Sequence, residues 1–496
     1  MTRLLGLDVG TSGARCVALD EQGRLVAEAT AEYPISSPHP GWSEQQPEDW
    51  WRASCGVIAE VAAKVGGDIA AIGLTGQMHG AVFLDRSDEV IRPALLWNDQ
   101  RTAAQAEAIT ERVGASRLTE IAGNPALTGF QAPKILWLRD EEPSAYQRVA
   151  SVLLPKDYVR LRLTGDRATD ASDASGTLLL DLAERTWSGE ILDALEIPAG
   201  WLPRVFEGPD PTGQIRQEIA SELGLPHQLP VAAGGGDNAA AAVGNGVIRD
   251  GVASCSIGTS GVLFAHSDRL ARDPSGRLHA FCHSVPDRYH LMGVTLSAGG
   301  ALRWWRDLVG KADYEELSEL ASKATPGAEG LLFLPYLTGE RTPHLDPGAR
   351  GAFFGLTARH SLSHLTRAVM EGVAFSLRDS LEIMVALGTN PTQIRATGGG
   401  ARSLFWRQLL ADVLGRPIVR TMAEEGPASG AALLAGVTAG VFANVEEACA
   451  GISLRPDTSE PEAGRTRLYD DYYAAYRELY PATSSTMHAL TDLAQR

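Results

Sequence analysis

Cysteine is scarce in this chain and badly spaced for bonding. The five residues, Cys16, Cys55, Cys255, Cys282 and Cys449, are odd in number, and the closest two lie 27 positions apart. No CxxC occurs, so neither a disulfide framework nor a thiolate zinc site is expected; isolated reduced thiols are. Long apolar runs are missing as well. The longest, around Ala431 to Ala443, is broken by Gly436, Thr438 and Gly440 and is too short to span a bilayer. The opening MTRLLGLDVG places an arginine and an aspartate among its first eight residues. It forms no secretory h-region, so a cytoplasmic protein is expected. Basic charge is in deficit: 44 Lys and Arg face 61 Asp and Glu, a net charge of −17. That field repels nucleic acid and anionic membrane surfaces, so neither is expected as a partner. Several common catalytic signatures are absent too. There is no GxxxxGK[ST], no GxGxxG after a strand, no GxSxG and no HExxH.

What is present is an internal echo. Gly-Thr-Ser-Gly stands at Gly10–Gly13 and again at Gly258–Gly261, 248 positions on in a chain of 496. Each copy follows a strand-like run (Leu4 to Val9; Val252 to Ile257) and precedes another (Ala14 to Leu19; Val262 to Ala265). The repeat points to duplication and to an α/β protein of two related lobes, residues 1–245 and 246–496. Either turn alone could be a plain hairpin. Two facing copies would make a phosphate clamp, because glycines let backbone approach a ligand while Thr and Ser supply hydroxyl and N–H donors. Only the first copy brings a carboxylate, Asp8; the corresponding place in the second is Ser256.

Around these turns the sequence predicts a three-strand meander over Leu4 to Tyr33 and a helix from Pro47 to about Val65. Strands are predicted at Ala70 to Gly76 and Ala81 to Asp85, joined as a hairpin by the loop Gln77–Gly80 that holds Met78 and His79. Helices are predicted from Asn238, over Leu362 to Leu387, over Ser403 to Leu414, and around a tyrosine stripe from Tyr469 to Tyr476 that reads as packing. Asp237 follows Gly234-Gly235-Gly236 and opens a helix, which suits a helix cap or a presented catalytic carboxylate. Asp237 and Asp8 beside two phosphate-binding turns suit phosphoryl transfer, one acid taking a hydroxyl proton and the other holding Mg²⁺ through its waters. Ala396 to Ser403 is a third glycine-rich strand-to-helix turn, and Trp97, Asn98, Asp99 and Arg101 read either as a polyol site or as a salt-bridged loop.

Taken together, GLDVGTSGARCVALD, GQMHG, LLWNDQR, LLPKDYVRLRLTGD, GGGDNAAAAVG, SIGTSGV, FLPYLTGERTPH and TGGGARS resemble the FGGY family of carbohydrate kinases, in the order the family shows. The resemblance spans nearly the whole chain. It implies two RNase H-like lobes, as in actin, hexokinase and Hsp70, with the active site in the cleft between them. It also implies ATP and Mg²⁺, a small sugar as partner, and phosphorylation of D-xylulose. Kinases of ribulose, gluconate or glycerol, or an actin- or Hsp70-like ATP-driven binding protein, are the alternatives, and a homodimer is left open. Residue by residue, the resemblance makes Asp237 the general base and Asp8 the acid near the metal. Met78, His79 and Asn238 become sugar contacts. Thr11, Ser12 and Arg15 fall in the first phosphate motif and Gly258 and Thr259 in the second, while Gly299, Gly399, Gly400 and Ser403 match the nucleotide pocket. Gln131 departs from the family pattern, outside the expected site.

Overall fold

Two stretches of this chain fold to one plan in a computed structural model, which describes residues 2–66, 68–311, 313–422 and 426–494. In the first, β1 (Arg3–Val9), β2 (Gly13–Leu19) and β3 (Leu25–Glu32) form the antiparallel meander. Helix α1 (Pro47–Val65), with proline in its first turn, leads back to β4 (Ile69–Gly76), which lies parallel to β1. Helices α2 (Pro155–Thr164) and α3 (Ala171–Ser175) precede β5 (Pro211–Gln214) and β6 (Pro230–Gly236), and α4 (Asp237–Gly244) follows. The sheet order is β5-β6-β4-β1-β2-β3.

The second stretch repeats it. Strands β7 (Val252–Ile257) and β8 (Gly261–Ser267) flank the second turn, followed by β9 (His279–Cys282) and β10 (Tyr289–Thr295). Helices α5 (Gly299–Leu308), α6 (Tyr314–Ser322) and α7 (Leu362–Ala386) lead to β11 (Gln393–Thr397), α8 (Leu404–Leu414) and β12 (Ile418–Val419). The order β9-β10-β8-β7-β11-β12 places β11 and β12 parallel to β7, as β4 and β6 are to β1. Helices α9 (Pro427–Thr438) and α10 (Ala463–Ala494) follow. Among the described residues, no helix is long and apolar enough to cross a membrane.

The alternation of β1 shows how the layers form. Leu5, Leu7 and Val9 pack with Val57 and Ile58 of α1, whereas Leu4 packs with Ala428 and Ala432 of α9. Helix α9 thus lies on the sheet of the first stretch although it follows the second in sequence. Glycine makes this possible. A methyl at Gly6 or Gly73 would overlap the carbonyls of Ala428 or Ala431, and one at Gly430 would overlap that of Ala240 in α4. The tyrosine stripe of α10 packs on α7 as expected, and its hydroxyls also complete buried polar groups. Tyr469 Oη donates to Glu371 at 2.7 Å and Tyr473 Oη to Asp379 at 2.7 Å.

One expectation is corrected. The segment after Gly80 does not form a hairpin with β4; Val82–Leu84 pairs instead with Ser151–Leu153. The reason is that β4 is already hydrogen-bonded to β1 on one side and β6 on the other, so it has no free edge.

Candidate active site

The three central parallel strands of the first sheet end at one edge. Asp8 on β1 lies beside Thr75 on β4, and Gly235 on β6 pairs with the same Thr75. With neighbouring strands about 4.8 Å apart, Asp8 and the strand end that carries Asp237 are about 10 Å apart. Such a carboxyl-end edge is where α/β sheets place their ligands. The Gln77–Gly80 loop leaves β4 between the two acids. Its Gln77 N–H donates to Val9 O at 2.9 Å, and its side-chain amide reaches Gly10 O and Gln45 Oε1 at 3.3 and 3.0 Å.

These bonds build the first turn. Gly10 N–H closes it on Gly13 O at 3.0 Å, Tyr33 Oη donates to Gly10 O at 2.6 Å, and Gln45 Nε2 donates to Thr11 O at 2.7 Å. The Trp97 indole donates to Thr11 Oγ1 at 3.0 Å. Ser12 at the tip is exposed. Arg15 sits opposite Asp8 on β2, with its guanidinium on the Glu28 carboxylate of β3.

Met78 is buried, and its side chain lies against Gly236, where even one methyl on the glycine would crowd its sulfur. The glycine triplet before Asp237 therefore makes room for the Gln77–Gly80 loop. His79 holds a left-handed backbone (φ 66°) and points Nδ1 at Gly176 O, 2.5 Å away. Because a carbonyl only accepts, Nδ1 carries the proton. Burial lowers the imidazole pKa to about 3, so Nε2 stays an unprotonated acceptor for a hydroxyl at neutral pH.

Asp237 opens α4, but it is not the cap; that residue is Gly236. Its carboxylate accepts from Asn238 N at 2.6 Å and Asn238 Nδ2 at 2.8 Å. Burial raises its pKa to about 6 against the lowering effect of those two bonds. The strand end beneath is pinned by a buried relay. Gly236 N–H donates to Ser172 Oγ at 3.1 Å, Ser172 N–H and Oγ donate to Asp170, and Asp170 meets Lys156 Nζ at 2.9 Å. Lys156 also contacts Asp157 at 2.7 Å and Asp173 at 3.1 Å, with every one of these side chains fully buried.

In the second sheet, β7 and β11 likewise end together, with Ser256 beside Thr397. A cavity of about 850 Å³ opens there, lined by Gly258, Thr259, Gly299, Gly399, Gly400 and Ser403, with Tyr314, Phe405 and Trp406 as apolar walls. The two residues expected in the second phosphate motif and the four expected in the nucleotide pocket thus share one space, large enough for a nucleotide. Gly299 N–H and Ala298 N–H bond Gly258 O and Thr259 O at 2.8 and 2.9 Å, locking the second turn to the start of α5.

The polar cluster of Trp97 to Arg101 divides in two. Asp99 and Arg101 are structural: the guanidinium sits 2.7 Å from both Asp99 and Glu44 and 3.5 Å over the Trp42 ring. Trp97 and Asn98 are exposed. Sequence reasoning gave no role to Gln45, to Ser172 with Lys156, or to Gln131, whose amide donates to Gly80 O at 2.8 Å and Leu153 O at 3.2 Å and so holds the Gln77–Gly80 loop. The available signal was the charge of Lys156, Asp157 and Arg160 along α2 among Val159, Leu161 and Leu163, where buried charge needs partners.

Residues 3–244 match the N-terminal domain of the FGGY family of carbohydrate kinases, and residues 253–439 match its C-terminal domain. The chain belongs to that family. The FGGY kinases similar to it include the xylulose kinase of Escherichia coli, 44% identical over 96% of this chain and 98% of the relative. The xylulose kinase of Rhodospirillum rubrum superposes with a TM-score of 0.93 at 30% identity, over 98% of this chain and all of the other. A gluconate kinase of Lactobacillus acidophilus does so with 0.94 at 28% identity, over 99% of both chains. The fold is therefore that of a two-domain FGGY sugar kinase, an enzyme that uses ATP to phosphorylate a sugar.

Proposed function

We propose that this FGGY kinase transfers the γ-phosphoryl group of ATP to D-xylulose, giving D-xylulose 5-phosphate and ADP. The observation that carries the reading is the Asp237 carboxylate, set at the sheet edge next to Gly236, on which Met78 packs, with a pKa raised by burial. A base with pKa near the working pH is best matched to take a hydroxyl proton, and such assistance contributes about 10²–10⁴-fold. The similarity to xylulose kinases along nearly the whole chain supports the choice of sugar.

In this reading His79 Nε2 accepts from a sugar hydroxyl, and Asn238 orients Asp237 and adds a donor. Asp237 Oδ takes the proton of the attacking hydroxyl as the new P–O bond forms. The Thr11–Ser12 turn and the Gly258–Thr259 turn hold phosphates. The cavity at Gly299, Gly399, Gly400 and Ser403 takes the nucleoside. Asp8 offers a carboxylate on the side of β1 that faces the Gly10 turn, which fits a hard, oxygen-preferring Mg²⁺. Bound there, the ion would offset phosphate charge. The lobes at 1–245 and 246–496 close on the sugar and exclude water.

A gluconate kinase is the second reading, favoured by the TM-score of 0.94 to such an enzyme. ADP release across a panel of ketoses, aldonates and polyols separates them. D-xylulose is expected to give the highest kcat/KM; preference for gluconate would keep the mechanism and replace the substrate.

A further inference from the structure

The sugar-side groups named above all belong to the first lobe. One cation of the second lobe faces the same loop. Residues 340–342 are bound to the end of β10, beside the strand that leaves the second turn. Thr342 N–H donates to Val294 O at 3.0 Å and Val294 N–H to Thr342 Oγ1 at 3.1 Å, while Val294 pairs with Val262 of β8. The neighbouring carboxylate turns inward. Glu340, 2% exposed, accepts from Thr295 Oγ1 at 2.6 Å and from the N–H groups of Leu296 and Arg341 at 2.8 Å each. Glu340 thus favours the charged form of Arg341 through space but accepts no hydrogen bond from its guanidinium.

Among the described residues, the Arg341 guanidinium donates no hydrogen bond and joins no ion pair, although the residue is half-buried. Five N–H donors without a protein acceptor in a partly desolvated place are costly unless a ligand completes them. The segment of Arg341 is placed by packing: Val294, to which Thr342 is bound, lies in one apolar cluster with Phe130 and Phe281. After burial itself, the guanidinium helps keep the imidazoles of His279 and His79 neutral. The ring of Phe130 connects these two histidines, 4.8 Å from His79 and 6.1 Å from His279. The segment that carries the cation therefore lies on the Phe130 side of the Gln77–Gly80 loop, where His79 sits.

We propose that Arg341 is a substrate-binding residue contributed by the second lobe, donating to oxygens of the acceptor sugar at the end remote from the transferred phosphoryl group. Binding the sugar from both lobes would link sugar occupancy to closure. This rests on the sugar-kinase reading above, and the same experiment separates the two.

The test uses the full chain with Arg341→Met and Arg341→Lys. D-xylulose binding is measured by calorimetry without nucleotide, and KM and kcat by ADP release. Loss of charge-assisted hydrogen bonds is expected to raise sugar Kd and KM about 10- to 100-fold in Arg341→Met. KM for ATP should stay within about twofold, Tm should hold, and Arg341→Lys should recover part of the affinity. Sugar Kd and KM within twofold of wild type in the folded Met variant would overturn the proposal. So would a fall in kcat at unchanged sugar KM, which would place the guanidinium on the phosphoryl group. Should Arg341→Met fail to fold, Arg341→Lys carries the same comparison. Wild-type protein that ignores D-xylulose but phosphorylates another sugar would correct the substrate, and the variants read with that sugar would still decide the role of Arg341.

Discussion

Replacing Asp237 by asparagine is expected to make the protein more stable while removing its activity. Burial holds the carboxyl pKa at about 6 against an ordinary 3.8, so the fold disfavours the ionised form. That difference corresponds to about 3 kcal/mol. The side chain is half-buried, so solvent screens part of the effect, and roughly 1.5 kcal/mol should be recovered by an isosteric neutral amide. For lobes of this size, that is a rise in Tm of about 3–6 °C. The sign depends on pH in a defined way. The native group binds its proton more tightly than the unfolded one, so its cost is absent below about pH 4, grows as pH rises to about 6, and is constant above. Thermal unfolding of wild type and Asp237→Asn at pH 8 and pH 4 is the assay, beside ADP release. A variant that melts lower than wild type at pH 8 would refute the reasoning, since the carboxylate would then be supporting the fold.

Three further outcomes follow from the same geometry. Because Asp237 must be ionised to act as base, kcat at saturating sugar should fall about tenfold per pH unit below pH 6; a flat profile down to pH 5 would contradict this. His79 should remain neutral to pH 5 in an NMR titration of its ring, and His79→Ala should raise sugar KM while leaving that of ATP in place. Lys156→Met removes the cation that touches Asp157, Asp170 and Asp173 together and leaves Arg160, 3.5 Å from Asp157, as the buried cation beside them; a loss of about 3–5 kcal/mol in denaturant unfolding is expected. Wild-type stability in that variant would show that the cluster does not need the charge.

Much of this was legible in the chain itself. The meander, α1 with its leading proline, and the two Gly-Thr-Ser-Gly turns are fixed by local pattern, and the structure repeats one sheet topology around those turns. The loop holding Met78 and His79 was legible as a loop, but its partner strand was not. Two strands in sequence look like a hairpin, and only the sheet order shows that β4 has both edges occupied. Helix α9 was out of reach for a similar reason. Its seat depends on Gly6 and Gly73 of the sheet meeting Ala428 and Ala431, and on Gly430 meeting Ala240 of α4, pairs far apart in the chain that no window of sequence displays. The relay from Lys156 to Gly236 was hidden because each member looks ordinary alone; only its burial gives it meaning.

The central claim is that Asp237 activates the sugar hydroxyl for attack on ATP. The most direct measurement is ³¹P NMR of ATP, Mg²⁺ and D-xylulose with wild type and with Asp237→Asn, the variant's fold checked by its melting curve. Wild type is predicted to convert the γ-phosphate signal into a sugar 5-phosphate monoester, and the folded variant to do so at least about 100-fold more slowly. Monoester formation by the variant within tenfold of the wild-type rate would contradict the account.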